Sequence, residues 1–119
     1  MRKLEDIKIW HKSMELAVTI YEHTSAFPSS EKFNLISQMQ RAAISIPSNI
    51  AEGAGRNSEK EFVHFLSIAH GSLYELETQI RIAEKLKYLS ETLTAQLIEI
   101  IHELQKMSYS FQRSLIANS

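Results

Sequence analysis

The chain of 119 residues contains no cysteine, only two prolines and three glycines. Without cysteine it can form no disulfide, no thiolate metal site and no cysteine nucleophile. The basic residues that follow Met1 are succeeded at once by acidic residues and not by an apolar run. We therefore expect neither a signal peptide nor a membrane span, and a cytoplasmic location is the natural prediction.

The chain also lacks a strong excess of either charge. Thirteen basic and fourteen acidic residues give a net charge of −1. A nucleic-acid-binding module usually carries an overall positive charge, and the basic residues here are dispersed among acidic ones. The abundant residues are Leu, Ile, Ala, Glu, Lys and Gln, which favour helix over strand. The composition therefore predicts an all-α protein with a single domain over residues 1–119.

Four segments show apolar residues at alternating spacings of three and four, which is the pattern of amphipathic helices. They cover roughly 7–26, 30–54, 58–87 and 90–116. Because the three connections are short, the pattern predicts an antiparallel up-down-up-down four-helix bundle. Pro47 lies inside the second helix and is expected to kink it.

The spacing also predicts which residues form the core-facing seam of each helix. Asp6 is the predicted N-cap of the first helix, and serines before Glu31 are expected to cap the second. Ser58 opens a Ser-x-x-Glu capping box with Glu61 at the start of the third. The four predicted seams are Ile7, Trp10, Met14, Ala17 and Tyr21; Leu35, Met39, Ala42 and Ile46; Phe62, Leu66, Ala69, Leu73, Leu76, Ile80 and Ala83; and Leu93, Leu97, Ile100, Leu104, Met107 and Phe111.

The segment Arg41–Arg56 carries almost no charge, and its apolar residues cover most of the helix circumference. A helix that is apolar nearly all round is normally buried on several sides. A small bundle rarely covers one helix so completely, so this segment predicts burial by neighbouring subunits. Further apolar residues lie off the predicted seams and also favour a homo-oligomer. They are Phe65, Ile68, Ile82, Leu86, Ile98 and Ile101.

The polar residues of the same segment form a narrow stripe that has two interpretations. It is either a solvent-facing surface or a hydrogen-bond network between helices or subunits, since Ser and Asn replace the usual Lys and Glu. Glu75 and Glu77 on the third helix are candidate partners for Arg41 or Arg56. The residues predicted to serve assembly and structural integrity are Arg41, Ser45, Pro47, Asn49, Glu52, Gly53, Arg56, Glu75 and Glu77.

Two Glu-x-x-His motifs, Glu61 to His64 and Glu99 to His102, are the one candidate for a metal centre. Carboxylate-bridged di-iron and di-manganese proteins use such motifs inside four-helix bundles. The heptad phase places all four residues at outward positions, whereas a metal site in the bundle core needs ligands that point inward. We therefore predict no metal, no cofactor and no catalytic set, and hence no enzyme.

Several motifs together resemble a known family. They are Leu4-Glu-Asp-Ile-Lys-Ile-Trp10, Phe27-Pro28, the segment 38–53 with Arg56, and the segment 65–78. The sequence resembles the bacterial four-helix bundle protein family encoded by 23S rRNA intervening sequences, and its stretch Ser-Ile-Pro-Ser-Asn-Ile-Ala-Glu-Gly is the most specific part. The resemblance implies a left-handed four-helix bundle, a ring-like homopentamer and no catalytic residues.

The fold so implied is similar to that of the accessory variability determinant of diversity-generating retroelements, a pentameric basic barrel that works with a reverse transcriptase and RNA. The net charge of −1 departs from the strongly positive surface expected for holding RNA. Two hypotheses follow. The first is a non-enzymatic, pentameric scaffold or adaptor for a protein or RNA partner. The alternative is an RNA-binding accessory protein that acts with a nucleic-acid enzyme such as a reverse transcriptase.

Overall fold

The computed structural model describes residues 2–118, and within that range it contains four α-helices and no strand. The predicted all-α class is therefore confirmed. The helices form a bundle about 46 Å long, and none of them, within residues 2–118, is long and apolar enough to cross a membrane. They are α1 (Lys8–Thr24), α2 (Leu35–Ala54), α3 (Glu59–Lys85) and α4 (Glu91–Ala117).

Each helix packs against the next one along the chain, and α4 contacts α1 less extensively. Between α2 and α3, the hydroxyl oxygens of Ser45 and Ser72 lie 2.9 Å apart, and Gly53 lies against Phe62. The later residue of α2 meets the earlier residue of α3, as in an antiparallel pair. α2 continues through Pro47 as one helix. The kink and the left-handed twist stay predictions.

The predicted seam of α3 is confirmed at every position. All seven of its residues, from Phe62 to Ala83, are buried. In α2, Met39, Ala42 and Ile46 are buried as predicted, and Leu35 is half-buried. Strict four-three alternation of apolar residues therefore identified the core-facing side of these two helices.

The predicted seams of α1 and α4 are confirmed only in part, at the buried residues Ile7, Ala17, Leu97 and Leu104. In α1, Tyr21 is exposed and Trp10 half-buried, because two hydroxyl residues occupy core positions. Thr24 Oγ1 donates to the carbonyl oxygen of Ile20 at 2.7 Å, and Ser13 Oγ donates to that of Trp10 at 2.9 Å. Hydroxyl groups satisfied in this way can be buried. In α4 the predicted Ile100 is exposed, and Ile101 is buried in its place.

Serine caps start the last two helices. Ser58 Oγ accepts from the backbone N–H of Glu61 at 3.1 Å, as predicted, and Ser90 Oγ accepts from that of Leu93 at 3.1 Å. The predicted cap at Asp6 is wrong, because α1 begins after Ile7 without a side-chain cap.

The start of α2 also differs from the prediction. The serines before Glu31 form a 3₁₀ turn at Ser29–Glu31, and α2 begins only at Leu35. The end of α3 is marked by Lys87, which has a φ of 66°. The N–H of the next residue, Tyr88, donates to the carbonyl oxygen of Ala83 at 2.9 Å, so the left-handed residue closes the helix end.

The apolar side of the segment Arg41–Arg56 is covered within one chain, which corrects the prediction that neighbouring subunits are needed to bury it. α2 lies between α1 and α3 and packs against both. Of the large apolar residues in the segment, Ile44 alone is exposed. The residues buried by the chain itself are Ala42, Ala43, Ile46, Pro47, Ile50 and Ala54.

Candidate functional site

The half-buried part of the α2 polar stripe is a hydrogen-bond network within one chain. Asn49 Nδ2 donates to the carbonyl oxygen of Ser45 at 2.8 Å and to its hydroxyl oxygen at 2.9 Å. The same hydroxyl group bonds to that of Ser72 on α3. At Ser45 and Asn49, therefore, the network interpretation holds, and it joins two helices of the bundle.

The remainder of the stripe faces solvent. Arg41, Ser48, Glu52 and Arg56 are all exposed. Arg56 Nη2 donates to Glu52 Oε2 at 2.7 Å, and its guanidinium carbon lies 4.8 Å from the ring centre of Phe65 on α3. Exposed pairs of this kind contribute little to stability, at most about 1 kcal/mol. Both alternatives for the stripe are thus correct, each for a different part of it.

Gly53 marks the closest approach of α2 to α3. Gly53, which the sequence assigned to assembly and structural integrity, lies inside α2 and is buried. A Cβ atom at this position would stand 2.8 Å from Phe62 Cδ1 and 2.8 Å from Phe65 Cβ. Only a glycine fits between the helices without displacing these side chains.

The predicted pairing of Glu77 with Arg41 or Arg56 is wrong within the chain, because Glu77 lies on the flank of α3 that faces α4. It accepts from Arg81 at 3.0 Å and from Gln105 on α4 at 3.1 Å. His102 Nε2 lies 3.4 Å from the same carboxylate. Burial raises the pKa of Glu77, but these hydrogen bonds together outweigh burial and lower it below the ordinary value.

A second line of residues follows α3 beside its core seam, and we call it the outer stripe. Its members repeat at the four-three spacing of a packing seam. Ser72 contacts α2, and Gln79 is buried, but Glu75 is exposed. The apolar members Ile68, Ile82 and Leu86 are 40%, 44% and 48% exposed. The outer stripe consists of Ile68, Ser72, Glu75, Gln79, Ile82 and Leu86.

The sequence analysis placed several apolar residues outside the predicted seams, and the structure shows that they lie in two different environments. Ile68, Ile82 and Leu86 are indeed uncovered by the bundle, whereas Ile98 and Ile101 belong to its core. The stripe was detectable in the sequence as a second four-three register on the same helix. Gly71 lies close to it, and a Cβ atom there would meet nothing within 4 Å, so packing within the chain does not require this glycine.

The two Glu-x-x-His motifs lie on the surface, as their heptad phase predicts. Glu61, His64, Glu99 and His102 are all exposed. Within residues 2–118, no group of three or more His, Asp or Glu side chains is placed to hold a metal ion. His102 contacts the carboxylate of Glu77 and not a second Glu-x-x-His motif.

The outer side of the α3 and α4 pair carries a groove that the sequence interpretation missed. Tyr74 on α3 is 55% exposed, and Tyr109 on α4 is 58% exposed. Both line the groove, together with His70 and Lys106. No signal within either helix alone could identify this feature, because it depends on the register between the two.

Comparisons with known proteins agree with this architecture. The chain is similar in structure to a protein of unknown function from the S23 ribosomal protein family of Bacteroides thetaiotaomicron VPI-5482. The TM-score is 0.81 at 24% identity, and the match covers 88% of this chain and 95% of that one. At this identity the likeness shows the fold alone. No curated protein matches the chain.

The sequence pattern of a family described as 23S rRNA-intervening sequence protein matches residues 5–110. The match spans nearly all of α1 to α4, including the polar stripe and the outer stripe. The chain therefore belongs to the 23S rRNA-intervening sequence protein family.

Proposed function

We propose that the protein is a cytoplasmic, non-enzymatic, homo-oligomeric helical scaffold whose copies associate through the outer stripe of α3. The observation that carries the proposal is the second four-three seam on α3, whose three large aliphatic residues stay 40–48% exposed in the single chain. Seam spacing with aliphatic residues is the pattern by which helices pack against helices. A second copy of the chain is the occupant that we assign to it.

The energetic gain from covering this stripe is substantial. Full burial of one aliphatic side chain contributes about 1.5–3 kcal/mol. Each of the three apolar members of the stripe has already lost roughly half of its exposure, so covering the remainder contributes about 1 kcal/mol apiece. That gain is repeated at every interface of a closed assembly.

Charge complementarity favours the same surface. Arg41 on α2 is exposed, and so is Glu75, a member of the outer stripe on α3. Among the described residues neither one forms a hydrogen bond or an ion pair. Opposite charges left free at one surface are suited to pairing between copies, where they set orientation more than affinity. The pairing of Arg41 with Glu75, which the sequence suggested, is thus proposed between chains.

A ring needs a second, different surface on each copy, because head-to-tail interfaces are heterologous. The exposed apolar residues Val18, Tyr21 and Ile44 provide one. Val18 and Tyr21 lie on α1, and Ile44 lies on α2, which packs against α1. The pentamer implied by the family resemblance is a ring of this kind, and five copies is the number that we propose.

The charge distribution favours a scaffold over an RNA-binding accessory protein. Several cations are neutralised inside the chain: Arg2 by Glu59 at 2.8 Å, and Lys12 by Glu103. Affinity for an RNA strand needs several free cations along one track. A salt-titrated RNA gel shift tests the alternative, and binding tighter than that of an acidic control protein at low salt would support it.

Light scattering on a matched set of variants tests the scaffold. The double variant Ile68→Glu and Ile82→Glu places two charges on the outer stripe without touching the core. Ile100→Glu is the control, since Ile100 has the same 40% exposure as Ile68 but lies on α4. The double variant is expected to lose assembly while keeping its helical circular dichroism, and the control to keep the wild-type mass.

A double variant with the wild-type mass would refute the assignment of the outer stripe. A control that dissociates as fully as the double variant would refute it too, because any added surface charge would then suffice.

A further inference from the structure

The groove between α3 and α4 has an unusual lining for a protein surface. Its volume is about 530 Å³. No aliphatic and no acidic side chain lines it, so it suits neither an apolar helix nor a metal cation. The lining residues are His70, Tyr74, His102, Gln105, Lys106, Tyr109 and Ser110.

Aromatic rings stand on both sides of the groove. Tyr74 comes from α3 and Tyr109 from α4, and more than half of each side chain is exposed. The ring of His70 lies 5.4 Å from that of Tyr74, and the guanidinium carbon of Arg113 lies 5.8 Å from the ring centre of Tyr109. Because more than half of each tyrosine is exposed, part of its ring stays open, and another flat ring can stack on it.

One cation, Lys106, lines the groove, and a second, Arg113, lies beside it over the ring of Tyr109. Neither Lys106 nor Arg113 pairs with a carboxylate among residues 2–118, in contrast to Arg2, Lys12, Arg56 and Arg81 elsewhere on the surface. The neighbouring Glu77 is already occupied by Arg81, His102 and Gln105. The ammonium of Lys106 and, beside the groove, the guanidinium of Arg113 thus have no carboxylate partner in the described part of the chain and are available to an anionic ligand.

His70 adds an unused polar group to the wall. Its Nδ1 atom is enclosed and has no hydrogen-bond partner in the described part of the chain. Burial lowers the pKa of His70 below the ordinary value, so the ring is neutral near pH 7 and can either donate or accept. Unsatisfied buried polar atoms are uncommon in folded proteins.

We infer that the groove between α3 and α4 binds a flat heteroaromatic ring carrying a phosphate, the chemistry of a nucleotide. The ring stacks against Tyr74 or Tyr109, and the phosphate pairs with Lys106 and Arg113. The groove lies on the flank of α3 that faces α4 and not on the outer stripe, so this inference does not rest on the proposed assembly.

A nucleotide could reach the groove as a free mononucleotide or as one unit of a single-stranded RNA. The two sources share the same ring and phosphate, and direct titration separates them. We would titrate the full chain with AMP, with a single-stranded RNA hexamer, and with adenosine and inorganic phosphate as half-ligands. The readouts are the ring resonances of His70 in NMR spectra and the heat of binding.

The expected result is saturable binding of AMP at the groove, with His70 ring resonances that shift, and weaker binding of adenosine and of phosphate. An RNA hexamer that binds no tighter than AMP identifies the free mononucleotide as the source, and a hexamer that binds much tighter identifies the strand. Either result supports the shared chemistry.

Variants at exposed positions test the stacking without threatening the fold. Tyr74→Ala and Tyr109→Ala are each expected to weaken binding roughly five- to hundredfold, as loss of one stacked aromatic does. Lys106→Gln is expected to abolish the preference for AMP over adenosine. Phe33→Ala is the control, because Phe33 is an exposed aromatic residue outside the groove, and it should leave binding unchanged.

Two results would overturn the inference. One is the absence of saturable binding for both AMP and the RNA hexamer at millimolar concentration. The other is binding that Tyr74→Ala and Tyr109→Ala weaken no more than Phe33→Ala does.

Discussion

The two parallel seams of α3 have the same spacing and opposite environments. The inner seam, Phe62 to Ala83, contains only apolar residues, and all seven are buried. The outer stripe has three polar residues between its aliphatic ones, and its aliphatic members remain half exposed. Spacing alone therefore shows how many packing surfaces a helix has. The exposure of its residues shows which of these surfaces the chain covers by itself.

Alanine substitution at matched positions should give the largest difference in unfolding free energy between the two seams. Leu73→Ala on the inner seam opens a cavity in the core and should cost about 2–5 kcal/mol of unfolding free energy. Ile82→Ala on the outer stripe removes a half-exposed side chain and should cost less than about 1 kcal/mol. Chemical denaturation at low protein concentration, where assembly contributes least, measures both. Equal losses would contradict the distinction between the seams.

Gly53→Ala tests the close approach of α2 to the inner side of α3. The new methyl group would stand 2.8 Å from Phe62 Cδ1 and Phe65 Cβ, so these atoms must move. We expect a loss of about 1–3 kcal/mol, although alanine favours helix more than glycine does. Thermal unfolding measures the change, and a stabilised variant would show that the helices can separate without cost.

Gly71→Ala is the matched substitution beside the outer stripe. A methyl group there meets no atom within 4 Å of its position in the single chain. Helix propensity should therefore raise the unfolding free energy by about 1 kcal/mol or slightly less. Thermal unfolding of both variants should show opposite changes in unfolding free energy, a gain for Gly71→Ala and a loss for Gly53→Ala. A destabilised variant would contradict open space at Gly71 and indicate close contact with another copy.

The flank of α3 that faces α4 should show the smallest effect, because its contacts are polar and partly exposed. The folded-state pKa of Glu77 lies below the ordinary value of 4.5. The contribution of the Glu77 carboxylate to the unfolding free energy is therefore fully present above that value. It is lost as the pH falls through the folded-state pKa. Denaturation between pH 6 and pH 3 should show Glu77→Gln less sensitive to acid than the wild type, by less than about 1 kcal/mol. An unchanged acid sensitivity would contradict the role of the carboxylate.

Apolar periodicity predicted the fold and the inner seam because α3 buries nothing polar within that seam. The same method misplaced part of the core-facing seam of α1. There Ser13 and Thr24 occupy core positions, because their hydroxyl groups bond to carbonyl oxygens of their own helix. The sequence named Gly53 as a structural residue but did not predict its contact with α3, since a close helix contact leaves no periodic signal. Buried hydroxyl residues and small residues thus limit what the pattern can reveal.

The candidate surfaces were predictable to different extents. The outer stripe is visible as a second register within one helix, and the sequence named Ile68, Ile82 and Leu86 correctly as uncovered. The groove between α3 and α4 was not visible, because Tyr74 and Tyr109 are brought together only by the register between two helices. A feature within one helix can be derived from spacing, whereas a feature between helices needs their packing.

The molar mass of the wild-type protein tests the central claim most directly. Size-exclusion chromatography with light scattering at micromolar concentration measures it without any substitution. Assembly through the outer stripe predicts a mass several times that of the 13.7 kDa chain, and a pentameric ring predicts about five times that mass. A single species of 13.7 kDa would contradict the account.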